Sequence, residues 1–437
     1  MSNKLFRGAA IGLAAALTMT GCGPGDANGS GDGKVTLNMV ESLTSPARTT
    51  LIKSQLADFQ KANPNITVNL ISPPTDSADQ KIQQMLQSGK GIDVLEARDI
   101  TVGPFSSNGW LYDMKSDLQG WDGWNDLTDN AKSYATQNGK AYYVPYGFYG
   151  LSTYYRTDLI KQSGFDSPPH SWDDLIKQAE KINDPSKNQY GYAFRGGKNG
   201  NTNAVAIIEA YVADKLDTKN AFKLKDGSTI FSAPEAKTAM QSYIELFKNG
   251  SPPSSIAWGY PEMVQGFSSG STAFLLQDPE VIETLGQSQS ITKDQWSTTP
   301  LLVGPSGKAA QPVATAGWGI AQSSQHKAEA LKLTEFLTSG PRTVEFAKKN
   351  SLVPIVKSAT DDPFFKTGPW AAYVTMNQHP DTYLNVIQPR TVSWWSEWVT
   401  KSDSELQQAL TGKMTTDQLL ASWDQYWTAK WKTAGQS

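Results

Sequence analysis

Lys34-Val35-Thr36-Leu37-Asn38-Met39-Val40, Ile66-Thr67-Val68-Asn69-Leu70 and Ile92-Asp93-Val94-Leu95 decide the fold. Each stretch has the length and the aliphatic, β-branched content of a strand. Between the first two, Leu51, Leu56 and Phe59 recur at near-helical spacing, and Asn63-Pro64 ends the helix. Between the second and third, a helix around Asp79 to Gln87 stops near Gly89. The order is βαβαβ, which predicts an α/β fold with parallel strands and helices on the sheet faces. Ligands on such sheets bind beyond the carboxyl ends of strands. That rule singles out Glu41 to Leu43 after the first strand and Glu96 to Ile100 after the third.

The middle of the chain continues in kind. Ala141 to Pro145 begins a crossing segment, Leu151 to Tyr155 and Thr272 to Gln277 read as strands, and Ser171 is placed to cap a helix opening at Trp172. Phe231 to Asn249, Lys327 to Leu337, Arg342 to Asn350 and Thr416 to Trp431 read as helices. No internal repeat or long charge run appears.

The first residues point to export. Lys4 and Arg7 form a positive head, and Ile11 to Thr18 is apolar but too short to span a bilayer. Leu17-Thr18-Met19-Thr20-Gly21-Cys22 resembles a bacterial lipobox, with Met19 where Leu is usual. The resemblance implies a diacylglyceryl thioether on Cys22, which becomes the mature N-terminus; the alternative is an ordinary secretion signal that leaves Cys22 free. Gly23 to Gly33 lacks core-forming residues and reads as a flexible tether.

Composition excludes much chemistry. Cys22 is the single cysteine, so disulfides and cysteine-based metal sites are not expected, and His170, His326 and His379 follow no ligand spacing. No metal and no cofactor are expected. A net charge of -3 without a basic stripe argues against nucleic acid. A length of 437 residues exceeds one comfortable core and predicts two domains.

Four segments carry a resemblance to a known family. They are Phe59 to Val68; Ile92-Asp93-Val94 followed by Gly109-Trp110-Leu111; Tyr143-Val144-Pro145 through Tyr154 to Leu159, Gly164-Phe165 and Pro168 to Leu175; and Phe267 to Phe274. In this order and spacing the chain resembles, over nearly all of residues 34 to 430, the extracellular solute-binding proteins of carbohydrate importers, the family that includes maltose-binding protein. The resemblance implies a periplasmic-binding-protein-like fold of two α/β lobes joined by hinge strands around a central ligand cleft. Lobe 1 would hold residues 34–144 and 317–355, and lobe 2 residues 145–312 and 356–437. It also implies a monomer, not an enzyme, held by lipid on the extracytoplasmic face of the cell membrane, which captures a carbohydrate, a neutral oligosaccharide, and delivers it to ABC transporter permease subunits.

Sugar sites combine aromatic platforms with planar polar groups and carboxylates. Trp394 and Trp395 lie where the family commonly has a stacking aromatic; two adjacent tryptophans are not expected to face one core, so one of them faces the cleft, the alternative being that both pack in the lobe at a bend. Tyr146, Phe148 and Tyr149 lie in the crossing segment; alternation turns the first two one way and Tyr149 the other, toward either the cleft or the hinge packing. Trp258 and Tyr260 sit in a Pro-flanked loop ahead of a helix, where they either reach the cleft mouth or cap the second lobe, and Trp318 lies between two glycines that suit close approach of a ligand. Glu41, Ser42, Glu96, Arg98 and Asp99 form the polar rim of the first lobe, with Arg98 beside Asp99 as a fork for hydroxyls or as a loop ion pair. Arg195, Gln277 and Asp278 take the corresponding places in the second lobe. Asp278-Pro279-Glu280 replaces the Gly-Pro-tryptophan of the maltose-type pattern, and Ala97 replaces an aromatic, which weighs against maltose as ligand. A receptor for a polyol phosphate is the runner-up. A glycoside hydrolase needs two acids held about 5 to 9.5 Å apart, and no such pair is selected here.

Overall fold

The computed structural model describes residues 33–435 apart from 138, 313, 360, 361 and 391. The leader with Cys22, and the tether up to residue 32, lie outside the described residues. Strands β1 (Val35–Val40), β2 (Ile66–Ile71) and β3 (Val94–Arg98) pair in parallel with β1 central. The helices Pro46–Ala62 and Thr75–Ser88 connect them as the periodicity predicts. Ser45 caps the first by accepting from the Arg48 amide, with Pro46 leading the helix. Gly89, at φ 66, closes the second. One expectation fails at β3. The strand runs on through Arg98 and the helix Asp99–Ser107 starts immediately, so Glu96 is a strand residue and no loop separates it from Asp99.

After the short hairpin β4 (Thr136–Gln137) and β5 (Lys140–Ala141), β6 (Val144–Phe148) joins the same sheet, and β7 (Ser152–Arg156) opens another. The remaining strands are β8 (Tyr190–Tyr192), β9 (Thr272–Gln277), β10 (Trp296–Thr299), β11 (Ala309–Pro312), β12 (Thr315–Ile320) and β13 (Tyr383–Val386). One sheet has the order β2-β1-β3-β12-β6, with β12 antiparallel to both neighbours. The other has the order β10-β7-β9-β8, with β8 parallel to β9. A side chain at Gly317 is impossible because its Cβ would come within 2.1 Å of the Val144 carbonyl oxygen. The glycine lets β12 lie against β6.

Each sheet carries its own apolar core. Leu37, Val94, Leu127, Trp318, Ile320, Leu333 and Phe346 pack around the first. Tyr154, Phe194, Tyr243, Phe267, Phe274 and a tryptophan cluster pack around the second. In that cluster Trp398 lies 5.3 Å from Trp423 and 5.4 Å from Trp427, and Phe222 meets Trp427 edge-on at 4.9 Å. Such pairs add about 0.5–1.5 kcal/mol each beyond area burial. Ser171 forms a full capping box with Asp174 at the helix Trp172–Ile182.

The chain passes from the first sheet to the second between Phe148 and Ser152, and returns between Pro312 and Thr315. The first point lies a few residues after the division expected at 144/145, and the second falls within the gap expected between 312 and 317. Beyond residue 355, Val356, Ala359 and Phe365 still pack in the first core, whereas Tyr373 and Met376 belong to the second.

Candidate functional site

At the carboxyl ends of β1 and β3 the side chains tie themselves together. Glu96 accepts from the amides of Ser42 and Leu43 and from the Ser42 hydroxyl. Arg48, in the first turn of its helix, donates to Glu41 at 3.1 Å, to the Leu43 carbonyl at 2.9 Å, to the Tyr146 hydroxyl at 2.8 Å and to Glu96. Thr49 completes Glu41 at 2.7 Å, and Tyr146 donates to Glu96. Glu41, Glu96, Arg48 and Tyr146 are all at most 1 % exposed. Burial alone would raise the Glu96 carboxyl; Arg48, Tyr146 and the two amides overcome it and hold the group below its ordinary range.

The end of β9 faces this network. Gln277 is buried and accepts from the Asp278 amide at 2.9 Å; Asp278 accepts from the Glu280 amide at 3.0 Å and, through its carbonyl, from the Tyr154 hydroxyl at 2.8 Å. Glu280 crosses to the first core, where Asn350 donates to it at 3.2 Å. Arg48 and Glu96 act on Glu280 electrostatically, as does Asp278; Arg195 acts on Asp278. Tyr149 and Tyr260 feel the same carboxylates. Tyr149 lies 3.2 Å from the Tyr146 hydroxyl. Asp278 and Glu280 keep some accessible surface yet are shielded from bulk water. Burial, and for Glu280 next the neighbouring Asp278, pushes both carboxyls well above the ordinary range.

A second link spans the sheets. Arg390 donates to Asp99 at 3.3 Å, while Arg98 pairs with Asp79. Gln388 accepts from Arg390 at 3.3 Å and donates to Glu209 at 2.9 Å. Glu209 is fully buried, its other oxygen has no partner, and burial, against the pull of Arg390, pushes its carboxyl up to about 8. A raised carboxyl keeps its proton in the folded chain where the unfolded chain has lost it. Stability therefore falls as pH rises from about 4.5 to about 8. Glu209→Gln is expected to flatten this part of the profile and to raise the unfolding midpoint near pH 8, checked by thermal melts across that range. An unchanged slope would show that Glu209 is ionised throughout.

Carboxylates, guanidinium groups and tyrosines from the strand ends of both sheets thus lie near enough to act on one another. Among the described residues no group of acids, histidines or cysteines could hold a metal ion, and no helix is long and apolar enough to cross a membrane. Residues 41–340 match the model of the bacterial extracellular solute-binding protein family. The chain belongs to that family. It is 25 % identical over 401 residues to the mannitol-binding protein of Pseudomonas aeruginosa, covering 86 % of this chain and 89 % of the relative. The maltose-bound protein MalE3 of T. maritima superposes with a TM-score of 0.75 at 23 % identity, covering 89 % of this chain and 97 % of that one. An ABC substrate-binding protein of Listeria monocytogenes in complex with cycloalternan gives 0.76 at 19 % identity, covering 92 % and 100 %. The two-lobe α/β architecture expected from the sequence is thereby shown, and the family is one of ABC-importer binding proteins, not of enzymes.

Within this solute-binding protein several residues take places other than those expected. Trp318 is 2 % exposed and packs 5.7 Å from Tyr146, so no ring can stack on it; its flanking glycines serve strand packing. Glu41, Ser42, Glu96 and Tyr146 are closed within the buried network instead of forming an open rim. Arg98 and Asp99 form no fork, because one turns to Asp79 and the other to Arg390. The tryptophan pair does face one core. Trp394 and Trp395 straddle a helix start, and both lie against Trp427, at 6.3 and 6.4 Å, each remaining half-buried. Trp258 is half-buried against Gly266 in the second lobe. Alternation also fails in the crossing segment. Strand β6 ends at Phe148, so Tyr149 turns back to Tyr146, whereas Phe148 lines a cavity of about 520 Å³ behind the crossings with Val353, Ile355 and Trp370. Tyr373 lines the same cavity, and Asp278 acts on it electrostatically. Asp278, Arg195, Tyr149 and Asp99 are the expected residues that the structure brings to the cleft. Tyr260, weighed with Trp258, joins them, as do Arg48, Glu280, Asn350 and Arg390, which were not singled out as site residues; among these four only the acidic Asp278-Pro279-Glu280 turn after a buried strand offered a signal.

Proposed function

We propose that this chain captures a carbohydrate, an oligosaccharide or a polyol without phosphate groups, in the interlobe cleft and delivers it to an ABC permease. The observation that carries the reading is the meeting of Asp278 and Glu280 with Tyr149 and Tyr260 opposite Arg48 and Glu96. Carboxylates accept hydrogen bonds from ring hydroxyls, and tyrosines offer an apolar face with a polar tip. The relatives' mannitol, maltose and cycloalternan fit that chemistry. A polyol phosphate fits worse, since a phosphate calls for unpaired Arg, Lys or helix N-termini, and Arg48 is already enclosed by two carboxylates. Calorimetric titration with mannitol, maltose, cycloalternan and a phosphorylated polyol tests the reading: saturable binding by an uncharged member supports it, and binding by the phosphate alone overturns it.

The Cys22 anchor belongs to the same proposal, resting on the lipobox-like ending. Cys22→Ala is expected to move the protein from the detergent phase to the aqueous phase or to leave its leader uncleaved. Unchanged partitioning would remove the lipid from the account. The crossings between Phe148 and Ser152, between Pro312 and Thr315, and between Phe365 and Tyr373 are proposed as the hinge on which the cleft closes.

A further inference from the structure

We propose that the cleft prefers a carbohydrate bearing a protonated amine, an aminated sugar or polyol, and that Asp278 and Glu280 are the residues that select it. This rests on the carbohydrate reading above.

The charges around the pair carry the argument. From the first lobe the facing cation is Arg48, but it sits between Glu41 and Glu96, two carboxylates to one guanidinium. From the second lobe it is Arg195, on which Asp403 acts more strongly than Asp278. The other titratable groups facing the pair are hydroxyls: Tyr149 from the crossing segment, and Tyr154, Tyr260 and Tyr373 from the second lobe. No ion pair among the described residues includes Asp278 or Glu280. The hydrogen bonds they accept come from neutral amides, the Glu280 backbone and Asn350, each to one oxygen of its carboxylate. No hydrogen bond to the second oxygen of either carboxylate is found among the described residues, and Tyr149 and Tyr260 lie within electrostatic range of the pair.

A sugar hydroxyl donates a hydrogen bond to such an oxygen but leaves the charge surplus in place. An ammonium group donates and also offsets charge, and tyrosine faces attract it further. Shielding and mutual repulsion raise both carboxyls, so a nearby cation is what returns them to their ionised form. The sign follows. An alkyl amine stays protonated up to about pH 10, so its affinity rises as the pair loses protons with increasing pH. A neutral ligand gains only the stronger acceptor and no charge pairing from that loss, and a phosphorylated one is repelled by it.

The test titrates the protein with two matched pairs, mannitol against 1-amino-1-deoxymannitol and maltitol against 1-amino-1-deoxymaltitol, from about pH 5 to about pH 8. The aminated member of at least one pair is expected to bind roughly 10-fold or more tightly than its parent near pH 8. That advantage should shrink toward pH 5 and with added salt. Asp278→Asn/Glu280→Gln, a near-isosteric pair of changes, is expected to bring the ratio of amine to parent affinity to within about threefold, whatever the parent itself loses. Parent alcohols that bind as tightly as or more tightly than the amines in the wild-type protein overturn the inference and leave the carbohydrate reading standing. An advantage that the double variant retains moves the selection to other residues and overturns the assignment. If neither these alcohols and amines nor the sugars titrated above bind, the carbohydrate reading itself fails.

Discussion

Arg48→Met will cost about 3–5 kcal/mol of folding stability, because it leaves Glu41 and Glu96 buried at the same strand ends without their cation. Methionine fills the aliphatic volume, so the loss measures charge more than packing. Urea denaturation reads the cost directly. Adding Glu41→Gln and Glu96→Gln to Arg48→Met is expected to recover at least half of it, since a neutral, hydrogen-bonded cluster has less to desolvate. A cost below about 1 kcal/mol for the single change would mean that water enters the network. The same cluster sets an acid limit. Because the Glu96 carboxyl is held below its ordinary value, its contribution is fully present above about pH 4.5 and fades as pH falls through the lowered folded value. On the acid side of the profile the loss from this cluster should therefore come only in strong acid, and Glu96→Gln should blunt it.

The fold was legible because periodicity, stop signals and caps agreed over long segments. Leu51, Leu56 and Phe59 face one core, Ser171 caps its helix, and the three quoted strands form a parallel array. The site was less legible, for reasons that differ by residue. Arg48 lies in the first turn of an amphipathic helix, a position that in sequence looks solvent-facing; its burial comes from β3 and β6 arriving from residues 48 and 98 positions away. Arg98 and Asp99 are adjacent in the chain, yet each partner is nonlocal. Trp394 and Trp395 appeared unable to share a core, but a helix start with φ -96 and ψ 11 at Trp394 turns both toward Trp427. Strand alternation could not place Tyr149 because the strand ends one residue before it. Pairing across a cleft is a property of two sheets, and neither sheet's sequence encodes the other's position locally.

That distinction separates the aromatic residues into two kinds with opposite signatures. Tyr260 lies beside Asp278, Glu280, Arg195 and Tyr373, keeps some surface, and follows Gly259 at the start of its own helix. Truncation to Ala removes an aromatic face from the cleft wall while its helix start remains. The expected loss in ligand affinity is about 2–4 kcal/mol, or roughly 30- to 1000-fold, with a much smaller change in stability. Trp318 is the control: on β12, 2 % exposed and packed on Tyr146, it should lose about 3–5 kcal/mol of stability as Ala, with binding weakened only through the unfolded fraction. Calorimetry and denaturation on both variants, with whichever carbohydrate saturates the wild type, distinguish the two. If Tyr260→Ala binds within threefold of wild type, Tyr260 is not in contact with ligand, and its place in the cleft wall is lost.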